Sequence, residues 1–327
     1  LKWGIIGAGI IAHKMAEALK INPDSELVAV ASKTSSKAQQ FARQHGIKHA
    51  YSYQEIVNSD AIDVIYVATT HNFHYENTKL ALKHGKHVLV EKPFTVNATQ
   101  ARELVRLARR KHLFLMEAMW VRFLPSLKKL KTILANHEIG ELKLIDLSFG
   151  VIISPEYAGR LKDPALAGGV TLDIGIYPIS FACYLLDELP TSIKSMARFS
   201  ARGVDELASY LFRFPSGCLT TIKTSYNVQM KNEALIYGSE GYIEFPQFQT
   251  GEHFTVFKHE GNNEVKSKTE VHEKNHPNGF IYQVEEVVQS IRAGKTESHI
   301  IPLDETVAIM EIMDTMRKEW GFRYPFE

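Results

Sequence analysis

The sequence predicts an α/β protein, with a doubly wound parallel sheet first and then an α/β domain whose sheet is open and largely antiparallel. Three observations carry this. A strand, a glycine turn and a helix follow one another within residues 2–19. Continuously apolar strand runs then alternate with helical spacing up to about residue 119. Beyond that point the strands lengthen and begin to alternate.

Taken in order, Lys2 to Ile6 is a short apolar run followed by Gly7-Ala8-Gly9-Ile10-Ile11-Ala12. Ala12, Met15, Ala16 and Leu19 then recur at helical spacing. Leu27 to Ala31 is a second buried strand, after which Ser35 or Ser36 is expected to cap a helix carrying Ala38, Phe41 and Ala42. Further strands are read at Val64 to Ala68, Val88 to Val90 and Phe114 to Met116. Helical segments lie between them, at Leu80 to Lys83 and Ala101 to Arg109. After Met119, strands are read at Lys143 to Val151, Ser192 to Phe199, Ala208 to Phe214 and Leu219 to Tyr226, with Pro215-Ser216-Gly217 as a hairpin turn. Helices are expected over Ile174 to Leu186 and Phe280 to Ile291. The expected domains are 1–119 for a dinucleotide and 120–327 for substrate binding and dimerisation.

Composition narrows the functional class. The 327 residues are 45% hydrophobic and 23% charged, which is ordinary for a packed globular protein. Lys plus Arg number 38 against 37 acidic residues, so no global field draws the chain to nucleic acid or an anionic membrane. The basic run Lys128, Lys129 and Lys131 reads as a solvated helix face. Cys183 and Cys218 are too few for a disulfide framework and wrongly spaced for zinc, so two buried thiols are expected. Scattered histidines such as His71 and His74 lack the companions of a metal site, and no metal is expected. No run is read as reaching the roughly 18 apolar residues of a membrane span, and the first residues look like strand rather than a targeting segment. A cytoplasmic protein is expected.

The glycine turn matches G-x-G-x-x-A directly after a strand and opens a helix, the context of a Rossmann dinucleotide site. Gly7 permits the tight turn, Gly9 lets backbone approach a pyrophosphate, and Ala12 allows close helix packing, with Ile10 and Ile11 between them at the helix start. After the second strand, Ser32-Lys33-Thr34 stands where an NAD-type site has its acidic residue. A lysine and hydroxyls there, with Lys37 one turn later, favour the 2′-phosphate of NADP over NAD. Glu91-Lys92-Pro93 ends another strand, and the carboxyl ends of parallel strands are where such sheets bind ligands. An ammonium there can stabilise alkoxide charge and lower the pKa of a nearby phenol. It can equally be a plain surface lysine.

Val90 to Phe94, the glycine turn and Gly168-Gly169-Val170-Thr171-Leu172-Asp173-Ile174-Gly175-Ile176-Tyr177 together resemble the glucose-fructose oxidoreductase/inositol dehydrogenase/MocA (Gfo/Idh/MocA) family over essentially the whole chain. Within it, Met116 to Phe123 with Asp173 to Tyr177 look most like the trans-1,2-dihydrobenzene-1,2-diol dehydrogenase branch, which also oxidises D-xylose with NADP. The resemblance implies that Lys92 is the family's EKP lysine. Tyr177 falls where many sugar-oxidising members carry histidine, and in the diol branch that tyrosine transfers the proton. A phenol becomes a usable acid or base when a cation favours its phenolate.

Asp173, four residues before Tyr177, either orients the catalytic groups or simply favours the helix dipole. Thr69, Thr70, Asn72 and His74 follow the fourth strand, where the family faces the cofactor's ribose and nicotinamide, and Glu91 and Lys92 join that set. Trp120, Arg122 and Phe123 either wall a substrate pocket or form a packing cluster.

The resulting expectation is an NADP-dependent dehydrogenase for a secondary alcohol of a cyclic trans-diol or aldose, acting as a homodimer through its C-terminal sheet. Two rivals share the fold. A non-catalytic dinucleotide-sensing regulator has no use for both Lys92 and Tyr177. An NAD-dependent glycosidase shows no net cofactor turnover.

Overall fold

The computed structural model of the chain describes residues 1–260 and 264–327. They form two units, Leu1–Trp120 with His276–Met310, and Val121–Asn275 with Glu311–Glu327.

The first unit is built on six parallel strands: β1 (Lys2–Ile6), β2 (Glu26–Ala31), β3 (His49–Tyr51), β4 (Val64–Val67), β5 (His87–Glu91) and β6 (Leu115–Ala118). Their spatial order, β3-β2-β1-β4-β5-β6, is that of a dinucleotide-binding sheet. Every residue of β4 and β6 is buried, which explains why these strands read as unbroken apolar runs. Between the strands run α1 (Ile10–Ile21), α2 (Ser35–His45), α3 (Tyr53–Asn58), α4 (His74–Lys83) and α5 (Ala98–Lys111). Asn97 starts α5 by accepting the Gln100 N–H at 3.0 Å. Neither Ser35 nor Ser36 caps α2. Thr34 occupies that position, and its side chain accepts no capping hydrogen bond.

The expected second domain, contiguous over 120–327, is interrupted, because residues 276–310 join the first unit. Helix α9 (Phe280–Arg292) buries Phe280, Val284, Val287 and Val288 there. Asn278 Nδ2 donates to Lys14 O at 2.8 Å and Arg292 Nη2 to Asp24 at 2.7 Å. An amphipathic stripe announces that a helix needs a partner without saying which one.

The second unit carries α6 (Pro125–Ala135), α7 (Pro155–Leu161), α8 (Ile176–Leu186) and an eight-stranded sheet. The strands are β7 (Leu142–Gly150), β8 (Ser192–Phe199), β9 (Asp205–Arg213), β10 (Leu219–Ser225), β11 (Glu233–Gly238), β12 (Gly241–Pro246), β13 (His253–Glu260) and β14 (Glu264–His272). The order is β14-β13-β12-β11-β7-β10-β9-β8, antiparallel throughout except for the parallel pair β7 and β10. A last helix, α10 (Leu303–Glu319), begins in the first unit and ends in the second.

One expectation from hydropathy is corrected here. Pro164–Leu186 is long and apolar enough to cross a membrane, with mean hydropathy 1.5 over 18 residues. That stretch is 83% buried inside the protein, as the central helix of a packed core would be.

Candidate active site

Gly7 adopts φ +113°, and a Cβ there would meet Ala68 O at 2.5 Å, so the turn after β1 accepts only glycine. Gly9 differs. A Cβ on it would meet nothing within 4 Å, which leaves an open approach to the start of α1. No acidic residue occupies the first turn of α1, so nothing within that turn offsets its positive end. Ala12 is buried against the sheet. Past the end of β2, Lys33, Thr34 and Lys37 are exposed, and Ser32 is half-buried.

Lys92 follows β5 directly and is half-buried. Its neighbours in sequence are tied down on both sides. The Tyr66 hydroxyl from β4 donates to Glu91 Oε1, and Phe94 N–H donates to Glu117 Oε1 at 2.8 Å. His74 sets its Nδ1 2.7 Å from Pro93 O and its Nε2 3.1 Å from Thr69 O. Asn77 Nδ2 donates to Thr69 Oγ1 at 3.3 Å, and Thr70 Oγ1 donates to Asn72 Oδ1 at 2.7 Å. The loops after β4 and β5 are therefore cross-braced, and Lys92 emerges from the braced segment.

In the second unit, the turn before α8 is equally constrained. Gly169 has φ +128°, and a Cβ on it would lie 2.2 Å from Asp205 Oδ1. The carbonyls of Gly168 and Gly169 accept the hydroxyls of Tyr324 at 2.8 Å and Tyr226 at 3.1 Å. Thr171 donates its N–H to Asp205 Oδ2 at 2.8 Å and its hydroxyl to the same oxygen at 2.5 Å. Burial raises the Asp205 carboxyl above the usual carboxylate range, against those hydrogen bonds.

Thr171–Gly175 form a π-helical turn that runs into α8, and Asp173 sits within it. The widened turn changes the simple four-residue relation between Asp173 and Tyr177 that α-helical spacing implies. Asp173 is nearly buried and accepts the Tyr226 hydroxyl at 2.8 Å. Burial first, and Asp173 next, push the Tyr226 phenol well above its ordinary value. Tyr177, in the first turn of α8, is half-buried, with its ring centroid 5.8 Å from that of Phe149.

Trp120, Arg122 and Phe123 differ in burial. Arg122 is 0% exposed, donating through Nε to Ser180 Oγ at 2.8 Å and through Nη2 to Ser180 O at 3.0 Å. Its guanidinium also lies over the Tyr184 ring at 5.1 Å. That corrects its expected role toward substrate hydroxyls, since a guanidinium enclosed by its own fold presents no donor to a ligand. Phe123 is likewise buried, whereas Trp120 is half-buried, with its ring centroid 5.5 Å from that of Phe280. Among the described residues no group of three or more His, Cys, Asp or Glu side chains could hold a metal ion. Both cysteines are buried and neither is in a disulfide, and burial pushes the Cys218 thiol up to about 11.

Residues 1–119 match the model of an oxidoreductase family with an NAD-binding Rossmann fold, and residues 127–244 match the Gfo/Idh/MocA C-terminal domain. The trans-1,2-dihydrobenzene-1,2-diol dehydrogenase of Sus scrofa is 35% identical over 99% of this chain and 98% of its own. The enzyme of that name from Homo sapiens is 34% identical over the same shares. The chain belongs to the Gfo/Idh/MocA family. It is an oxidoreductase. Among solved structures, a 3-ketoreductase from Actinomadura kijaniata in complex with NADP and TDP-benzene superposes with TM-score 0.86 at 24% identity, covering 97% of each chain. An aldose-aldose oxidoreductase from Caulobacter crescentus complexed with glycerol gives TM-score 0.87 at 22% identity, covering 98% of each chain.

For this Gfo/Idh/MocA member, the open space at Gly9 and the first turn of α1 without an acidic residue fit the pyrophosphate of an NAD(P) cofactor. Sequence reading missed Tyr66, Glu117, Asp205 and Tyr226. Each acts through a partner 23 to 53 residues away in sequence, so no local spacing announces it.

Proposed function

We propose that the protein is an NADP-dependent dehydrogenase acting on a secondary alcohol of a cyclic trans-diol or an aldose. The observation that carries this reading is the presence of Lys92 and Tyr177, in the motifs that resemble the family's, in a chain 35% identical over nearly its full length to a trans-diol dehydrogenase. Gly7, Gly9, Ile10, Ile11 and Ala12 hold the pyrophosphate at the start of α1, and Ser32, Lys33 and Lys37 take the 2′-phosphate. Thr69, Asn72, Glu91 and Lys92 line the side of the ribose and nicotinamide. When bound, the nicotinamide supplies the hydride acceptor.

Tyr177 takes the hydroxyl proton of the alcohol as the C–H bond breaks. The Lys92 ammonium stabilises the developing alkoxide. Asp173, fixed by Tyr226, contributes negative charge on the α8 side. The half-buried ring of Trp120 suits the apolar face of a substrate ring. A regulator without activity has no use for a lysine braced this firmly, and the diol-type motif favours net oxidation over transient oxidation by a glycosidase.

The same reading extends to a cytoplasmic homodimer paired through the outer sheet face, where Met196 is 80% exposed and Leu211 and Leu219 lie in the open. Sedimentation of the purified protein as a single-chain species at micromolar concentration would exclude it.

A rate screen tests the substrate. With NADP, trans-cyclohexane-type or trans-dihydrobenzene-type diols or D-xylose should show kcat/KM at least about 10-fold above lactate or glycerate, about 1.4 kcal/mol in transition-state binding. A better rate with lactate or glycerate overturns the substrate reading.

A further inference from the structure

Two hydrogen bonds in the first unit grip one peptide just after Lys92, and a third ties the same histidine to the loop after β4. Pro93 C=O faces His74 Nδ1 at 2.7 Å, and the N–H of the same peptide, that of Phe94, donates to Glu117 Oε1 at 2.8 Å. The opposite edge of the His74 ring, Nε2, lies 3.1 Å from Thr69 O. His74 is 0% exposed and Glu117 1%, so neither bond competes with water.

A carbonyl oxygen only accepts hydrogen bonds, whereas a neutral imidazole carries one N–H and one bare lone pair. A neutral His74 would point that lone pair at a buried oxygen. We propose that His74 carries a proton on both ring nitrogens and, with Glu117, forms a positioning pair that clamps the Pro93–Phe94 peptide and fixes Lys92 relative to the loop after β4. The clamp rests on the proposed role of Lys92 only for its effect on rate; the protonation of the ring stands apart from it.

Charged residues of the same unit border the clamped peptide. Glu117 accepts from the far side of the clamped peptide, and Glu91 precedes Lys92 while accepting from Tyr66. These carboxylates favour a buried imidazolium. Lys92 opposes it, and His71 presents its ring edge-on with centroids 5.8 Å apart. The expected cofactor contact of His74 is corrected accordingly: both ring nitrogens face backbone oxygens and the side chain is enclosed.

Two substitutions separate the halves of the clamp. The amide nitrogen of asparagine stands near the place of Nδ1, and that of glutamine near the place of Nε2. His74→Asn should therefore keep the bond to Pro93 and retain kcat within about 3-fold, while His74→Gln keeps only Thr69 and loses about 10-fold or more. The ring itself is read by nitrogen-15 NMR of histidine-labelled full-length protein, with and without NADP. One buried ring should show two protonated nitrogens at neutral pH, a state that a merely space-filling histidine does not need. A His74 ring with one bare nitrogen, or equal kcat losses in the two variants, would overturn the proposal. Should neither variant fold, the spectrum of the native protein decides it alone. Should Lys92 prove dispensable for turnover, a doubly protonated ring would still stand, so the two claims fail separately.

Discussion

The Tyr226 hydroxyl lies 2.8 Å from Asp173 Oδ2 and 3.1 Å from the Gly169 carbonyl oxygen, its one proton shared between them, which fixes the carboxylate four residues before Tyr177. The phenol comes from the segment just after β10, whereas the carboxylate belongs to the π-helical turn. Tyr226→Phe keeps the ring and removes the donor. Asp173 should then lose its fixed orientation, and kcat should fall about 10-fold while NADP affinity stays within about 2-fold. Steady-state kinetics beside cofactor titration check this. A matching loss in both quantities would make Tyr226 a general structural support instead.

Cofactor choice turns on Lys33. It is exposed past the end of β2, where no carboxylate is present to repel a phosphate. Lys33→Asp should weaken NADP binding by about 1 to 3 kcal/mol, through one lost charge-assisted contact and added repulsion, and affect NAD far less. Fluorescence titration with both cofactors reads the difference. Equal changes for the two would remove Lys33 from the phosphate site.

The His13 and His45 rings give stability a pH dependence. His13 Nδ1 lies 2.6 Å from His45 Nε2, and both rings pack against Phe41. Burial, then His13 and then Lys20, lower the His45 pKa below the ordinary histidine value, with Glu17 opposing. The unfolded chain therefore binds this proton more readily than the native one. Stability is full above about pH 6.5, the ordinary histidine value, and falls as pH drops through the lowered native value. His87 is lowered by burial and adds loss of the same sign. Urea midpoints should decline between pH 6.5 and 5, below the range in which a protonated His74 changes stability, and His45→Gln should reduce that slope without abolishing it. A midpoint that rises toward acid pH would contradict the assignment.

Much of the first unit was legible because its signals are local. The Gly7 turn, the apolar β4 run and the lysine after β5 each announce themselves within a few residues. The sheet after β10 was not. Nearly every residue of β14 is exposed, so it carries no apolar alternation to detect. Helix α9 was read correctly as amphipathic, yet nothing in its spacing said that it belongs with α1. Of the candidate site, Lys92 and Tyr177 stand out through motif, whereas the burial of Arg122 and His74 leaves no mark in the sequence. A polar side chain beside a motif looks functional in sequence, and only three-dimensional burial reveals that its hydrogen bonds close on the protein itself.

The roles of Lys92 and Tyr177 separate kinetically. Lys92→Met should lower kcat by roughly 10²-fold or more while leaving cofactor binding largely intact, the scale of a lost electrostatic group. Tyr177→Phe should lower kcat and remove one limb of its pH profile. Near-normal turnover in the first variant, or an unchanged profile in the second, would assign those roles elsewhere.

Hydride transfer from a ring alcohol to NADP is read most directly by isotope. A trans-diol carrying deuterium on its carbinol carbons is incubated with the enzyme and NADP, and the reduced cofactor is isolated and examined by mass spectrometry and proton NMR. One deuterium per turnover should appear at the nicotinamide C4, in stoichiometric NADPH, with label formation falling roughly 10²-fold in Lys92→Met. Unlabelled NADPH, or substrate consumed with no net reduced cofactor, would contradict a dehydrogenase acting on this class of alcohol.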